Sequence, residues 1–452
     1  MNRKLGACAA VLAIALVVTL SVFAGGQKDA GGAPKMIVLR WYTDSDEATN
    51  TQRMYPQIAA DYTKAHPNIK VEFTPLVANY NSDEYMKKAD LMIAAGEQID
   101  LLGHSTLEHV QMRVKSGVLL DLVPFATKEG IDLDKEYDGI IPMDGKIYTI
   151  PEYTTMWLIY LNQDLLNGAG LSVPPKNWTW DDYRSYSKKI AKGEGSARVY
   201  GSYLHTWDWF YAIGMQGAIW DKPYYKADRI HHNFDNPVFR DGMKFRYDME
   251  NLDKSQVPFA DVKGQNMAYR SVFFGGKAAM LPMGAWMVAD INLKEKYPHT
   301  FKTTFAYWPM WYKTDTPNTT TLDGAGSGWG INAKTKYPQE AYDLLRFVTS
   351  EGWEYSHKQW SAWKKADPEE TLKGIGGSDT STYDIQALKA ILYDPNRNPN
   401  KYTFVGPGER ELIDAYIQEN EKYLVGGQSL DQTMTTIKRR AEEIIDTALK
   451  NQ

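Results

Sequence analysis

The chain has almost no sulfur chemistry to offer. Its single cysteine, Cys8, forms no disulfide within one copy, so stability has to come from a buried core. It also lacks a basic excess. The formal charge is −5, which argues against nucleic acid as a partner, because that partner wants a basic surface. One long apolar run occurs, Ala9 to Leu20 with only Thr19 breaking it, and no second run of about 18 apolar residues follows to span a membrane. No Gly-x-Ser-x-Gly elbow marks a nucleophilic serine. The glycine-rich stretch 324–330 is not followed by Gly-Lys-Ser/Thr, which excludes a phosphate cradle. Metal ligands are scattered. His231 and His232 are adjacent and cannot face one site from a strand, His104 and His109 are five apart, and no Cys/His cluster exists. Neither a cofactor nor a metal is called for, and carboxylate pairs such as Glu369–Glu370 read as solvated faces.

What is present begins with an export signal over residues 1–24. Arg3 and Lys4 supply its positive start, the apolar run follows, and Val22-Phe23-Ala24 is a small-x-small cleavage site before a flexible linker, 25–35. Cleavage after Ala24 removes Cys8 and takes the formal charge from −5 to −7. A retained anchor is the alternative, but the run is short for a span and ends in a good cleavage site. Leu5-Gly6-Ala7-Cys8 resembles a lipobox, yet the apolar run follows Cys8 instead of preceding it, so lipid anchoring is discounted.

The 452 residues leave room for two or three domains, and 43% hydrophobic with 24% charged content is that of a soluble globular protein. Aromatics are abundant at 13%, with 14 Trp and 29 Tyr, more than a core alone needs. Strands alternate with helices. Ile37–Tyr42 reads as a strand; Met54, Ile58, Tyr62 and Ala65 mark one helix face; Ile69–Phe73 alternates as a strand; a helix spans 83–95; Ile99–Leu102 is a short strand. This order predicts an α/β architecture with a mostly parallel sheet flanked by helices. Strands are further expected at 146–151, 157–160 and 304–308. Helices are expected from Thr179, with Asp182 in the capping-box position, at 238–250, near 266–274, at 338–350 and, after a second capping box at Ser429, along the C-terminus.

One segment carries the most information. Gly275 and Gly276 end a helix, Lys277 to Met283 reads as a strand covered on both faces, Gly284 permits a sharp turn, and Trp286 lands just past the strand. Ligands of open α/β sheets bind beyond the carboxyl ends of strands, where a flat indole is a stacking surface. Core packing is the competing reading of Trp286.

Taken in order, several motifs resemble the sugar-type extracellular solute-binding proteins of ABC importers, the maltose-binding-protein-like family. They are Tyr62–Val71, Ile93–Asp100, Asp144-Gly145-Lys146 to Pro151, Tyr160–Leu166, Pro174 with Thr179–Tyr183, and Gly276–Met280 with Gly284-Ala285-Trp286. Ile99 stands where the family's Pro-Asp-Val element has proline. The resemblance covers about residues 36–450. It implies a two-lobed periplasmic-binding-protein fold, each lobe a mostly parallel sheet flanked by helices, with the ligand cleft between lobes. By resemblance the chain crosses between lobes near 152, 305 and 353. Lobe 1 would then be 36–152 and 306–352, and lobe 2 would be 153–305 and 353–452 with a helical C-terminal part. The implied protein is a monomeric periplasmic receptor, not an enzyme, that closes on a carbohydrate ligand and hands it to membrane permease subunits of an ABC importer. Many aromatic plates favour an oligosaccharide.

A sugar ring offers an apolar face and a rim of hydroxyls, so the site needs aromatic plates beside planar polar groups. Trp286 takes the position where the family stacks a sugar. Trp41-Tyr42-Thr43-Asp44 follows the first strand, where the family places acidic hydroxyl acceptors, with Asp46 a weaker substitute for Asp44. His104 follows the third strand, and a neutral imidazole both donates and accepts. Tyr153 and Thr154 fall at the first crossing. Trp207-Asp208-Trp209 offers two indoles around a carboxylate, or equally a half-buried strand. Asp323, Gly326 and Ser327 lie in the glycine-rich stretch. Trp329 is divided between site and core, and Trp360 and Trp363, three apart on an expected helix, read as packing. An exported glycoside hydrolase or lyase, needing two opposed carboxyl groups, and a receptor for a non-sugar solute are the rival readings.

Overall fold

Alternation along Ile37–Thr43 buries Leu39, Trp41 and Thr43 on one face, and a strand follows from that period. The computed structural model describes residues 36–43, 54–77, 82–154, 156–219, 223–311, 328–354, 360–377, 379–394 and 405–451. The export signal and linker (1–35), Asp44, Asp46, Asp323, Gly326 and Ser327 lie outside the described residues. In chain order the described strands are β1 (Ile37–Thr43), β2 (Ile69–Pro75), β3 (Leu101–His104), β4 (Thr149–Ile150), β5 (Tyr153–Thr154), β6 (Trp157–Asn162), β7 (Tyr200–Ser202), β8 (Ala278–Gly284), β9 (Thr303–Ala306), β10 (Gly328–Ile331) and β11 (Trp360–Ser361).

They form two main sheets. The first has the order β2-β1-β3-β10-β4, with β1 parallel to β2 and β3, and β10 antiparallel to both its neighbours. Its core contains Leu39, Trp41, Tyr55, Ile58, Ile331 and Leu345. The second has the order β7-β8-β6-β9. There β7, β8 and β9 share a direction while β6 runs against both neighbours. Every residue of β6 and β8 is buried, as their unbroken apolar sequences require of strands covered on both faces. A third apolar cluster joins the helices Pro237–Tyr247, Glu409–Leu424 and Leu430–Lys450. Between the main sheets, β5 and β11 pair antiparallel, Tyr153 opposite Ser361 and Thr154 opposite Trp360.

Both capping boxes form: Thr179 Oγ1 accepts the Asp182 N–H at 3.2 Å while Asp182 accepts the Thr179 N–H at 2.8 Å, and Ser429 with Gln432 does the same. Three expectations shift. β3 begins at Leu101 instead of Ile99, because the Asp100 carboxylate takes the Arg40 N–H at 2.8 Å. The strand expected over 146–151 contracts to Thr149–Ile150. Trp360 and Trp363 do not share a helix: Trp360 is in β11, and Trp363 lies in the turn that follows, its N–H bonded to Ser361 Oγ at 3.1 Å. Among the described residues no helix is long and apolar enough to cross a membrane.

Candidate functional site

Trp286 stands in a 3-10 turn, Ala285–Asp290, at the carboxyl end of β8, half-buried. Gly284 is required there for space, not for a sharp turn. Its φ of −73° is ordinary extended backbone, but a Cβ on it would lie 2.0 Å from the Trp286 ring. The indole therefore folds back over the glycine's Cα. Strand register places Trp157 opposite Gly284, and the two indoles meet edge to face with centroids 5.1 Å apart. Trp286 Nε1 donates to the Tyr269 hydroxyl at 3.0 Å. The Arg270 guanidinium lies 4.7 Å over the Tyr269 ring, and its Nε donates to Asp290 at 2.5 Å. Orientation of the plate is thus held by three successive contacts.

Trp207 and Trp209 complete the aromatic wall. Both are half-buried, 6.0 and 5.5 Å from Trp157, and Trp207 lies 6.0 Å from Trp286. His205 presents its ring edge-on to Trp207 at 4.3 Å and shares a 3.0 Å hydrogen bond with the Tyr203 hydroxyl. Burial, with help from Arg246, Arg270 and Lys263, pushes its pKa down to about 4, so the imidazole is neutral near pH 7. The carboxylate between the two indoles is already engaged, and Trp209 itself also packs on the third apolar cluster. Asp208 accepts the Tyr224 hydroxyl, and Tyr224 belongs to the third apolar cluster. Burial raises the Asp208 pKa while that hydrogen bond opposes the rise. The expectation of two plates flanking an available carboxylate is corrected accordingly. A 3-10 turn, Asp208–Phe210, rotates the three side chains apart where a strand would alternate them.

On the first sheet, Trp41 is corrected to core. It is 0% exposed and packs against Tyr55, Phe73 and Trp329, because the strand's buried period falls on Leu39, Trp41 and Thr43. Tyr42 is half-buried on the opposite face, its carbonyl accepting the Tyr85 hydroxyl at 3.2 Å. His104 ends β3, 5% exposed, with neither ring nitrogen in a well-formed hydrogen bond. Burial, then the charges of Arg113 and His109, hold its pKa well below the usual value. Such a buried imidazole has unused capacity for a hydroxyl. Tyr153 is half-buried, and Thr154 is buried with no hydrogen bond to its hydroxyl. Trp329 is core, and its Nε1 donates to Glu152 at 2.5 Å, as does the Tyr55 hydroxyl.

The segment 150–156 joins the two walls. His104 pairs with Gly328, the next residue of β10 pairs with Ile150, and at the far end Met156 accepts the Ala285 N–H at 2.7 Å. Six residues of extended chain reach at most about 21 Å, which bounds the gap from the Ile150 end to the Met156 end. Glu409, buried at the start of its helix, accepts the Gly406 N–H at 2.7 Å. Burial pushes its carboxyl up to about 8, and the charges of Glu108, which follows β3, and Asp208 push it the same way. Trp157, His205, Tyr269, Glu152 and Glu409 were not singled out from sequence. Strand register places Trp157, distant partners Tyr55 and Trp329 place Glu152, and a buried helix start places Glu409; His205 and Tyr269 are placed by the ring contacts they make around Trp207 and Trp286.

Residues 48–355 match the model of the bacterial extracellular solute-binding protein family. The chain belongs to that family. It is a family of exported solute receptors, not of enzymes. An arabinooligosaccharide-binding protein of Bacillus subtilis (strain 168) is 21% identical over 407 residues, 89% of this chain and 84% of that protein. A sugar transporter of Rhizobium etli, solved in an open conformation, superposes with a TM-score of 0.72 at 22% identity, over 90% of this chain and 99% of that one. A Mycobacterium tuberculosis protein in complex with glycerophosphocholine superposes with a TM-score of 0.68 at 17% identity, over 93% and 100%. At these identities the likeness is one of fold.

Proposed function

We propose that the chain is a periplasmic carbohydrate receptor, cleaved after Ala24 and monomeric, that delivers a sugar, in particular an oligosaccharide, to the permease subunits of an ABC importer. The observation that carries this reading is the wall of half-buried indoles, Trp207, Trp209 and Trp286, braced on Trp157 at the carboxyl end of β8. Flat apolar faces beside hydrogen-bonding edges match the two sides of a sugar ring. His104 and Thr154 bring unfilled hydrogen-bonding capacity from β3 and the crossing segment. The lobes would be 36–152 with 306–352 and 153–305 with 353–452, hinged where β5 pairs with β11. Closure follows if the ligand binds both walls at once, since it then favours the closed state by its differential affinity. Trp286→Ala is expected to weaken binding by roughly 1–3 kcal/mol, as for a buried aromatic anchor. Calorimetry with the best ligand from a thermal-shift screen of mono- and oligosaccharides checks this, with glycerophosphocholine as the non-sugar arm. Unchanged affinity in a folded variant, or binding of the non-sugar alone, refutes the assignment.

A further inference from the structure

An aromatic cavity of about 460 Å³ lies beside the β5–β11 pair and shares no residue with the Trp157–Trp286 wall. That volume is in the range of small-molecule sites. Trp360, Trp363 and Tyr393 line it, with Asp138, Lys364 and Asp394. Trp360 and Tyr393 form a corner, centroids 4.3 Å apart with planes at 65°. The cavity straddles two cores, because Trp363 packs on the core of the first sheet while Trp360 and Tyr393 pack on that of the second.

Each of its two carboxylates has a lysine beside it. Lys364 Nζ lies 3.7 Å from Asp138, Asp394 is paired with Lys176, and the Tyr307 hydroxyl donates to Asp394 at 2.9 Å. A charged ligand would meet no uncompensated partner and would lose hydration on entry. A neutral ligand with one flat apolar face and several hydroxyls would meet aromatic faces and hydrogen-bonding side chains together. We propose that this cavity is a second binding site, for a single neutral sugar ring, bridging the two halves of the chain beside their β5–β11 connection. Because the ring would touch both cores, its occupancy is coupled to their relative position.

Amide hydrogen exchange of the full exported chain, with D-glucose, L-arabinose and choline as separate probes at millimolar concentration, tests the proposal. Either sugar is expected to slow exchange several-fold over 360–376 and 385–394, in the wild type and equally in Trp286→Ala; choline is expected to do nothing. Ala366→Trp, which fills the cavity from its half-buried rim, is expected to abolish the effect. No slowing, slowing that vanishes in Trp286→Ala, slowing that survives Ala366→Trp, or an equal effect of choline overturns it. Should Ala366→Trp fail to fold, the exposed Lys364→Ala replaces it. Leaving Asp138 without that cation is expected to weaken the sugar effect, and an unchanged effect contradicts the site. Failure here leaves the indole-wall reading standing, since that is tested by Trp286→Ala affinity alone.

Discussion

One hydrogen bond among the contacts that hold the Trp286 plate can be removed by itself. Tyr269→Phe removes the acceptor of the indole N–H while keeping the ring under Arg270, so sugar affinity is expected to fall by about 1 kcal/mol with little change in melting temperature. Parallel calorimetry and thermal denaturation separate this from a folding defect, which would lower both. His205 is a second local test. Its folded pKa of about 4 lies below the unfolded value, so its contribution to stability is present above about pH 6.5 and is lost as the pH falls toward 4. Histidine resonances followed by NMR check it; a His205 titration near pH 6.5 contradicts the packing drawn around Trp207. The position of Trp286 just past its strand was legible because glycines bracket that strand. Trp41 was misplaced because a strand's period tells which residues share a face and not which face is covered.

Elements were legible where a local cap or an unbroken apolar run defines them. The capping boxes at Thr179 and Ser429 and the all-buried β8 are found where their sequences put them. The turn at Asp208–Phe210 was not, since two tryptophans around an aspartate fit alternation and a 3-10 turn equally, and only Tyr224, distant in sequence, decides between them. Gly284 gives a prediction about an element. Gly284→Ala leaves β8 free to pair, since φ is ordinary there, but pushes the indole off the strand end. Sugar affinity is expected to fall at least as far as in Trp286→Ala, with far-UV circular dichroism unchanged. Wild-type affinity would mean that the indole does not rest on this glycine.

Among the described residues, the two main sheets have separate cores and the β5–β11 pair lies outside both sheets; hinged closure, as proposed, would use that division. The family pattern was legible in widely spaced motifs, whereas the influence of Glu108 on the Glu409 carboxyl was not, since the two are distant in sequence. Glu108→Gln is expected to lower the Glu409 pKa from about 8 only part-way, because burial is the larger cause. Carbon-detected carboxyl titration reads it, and an unmoved value would mean that the Glu108 charge does not reach Glu409. The most direct measurement is a crystal structure of the exported chain with its tightest oligosaccharide. One sugar ring is expected flat against Trp286, with hydroxyls of the same ligand bonded to a residue beyond the end of β3 or at 152–154. A ligand held by the second sheet's side alone, or lying away from Trp286, would contradict closure of two walls around a carbohydrate.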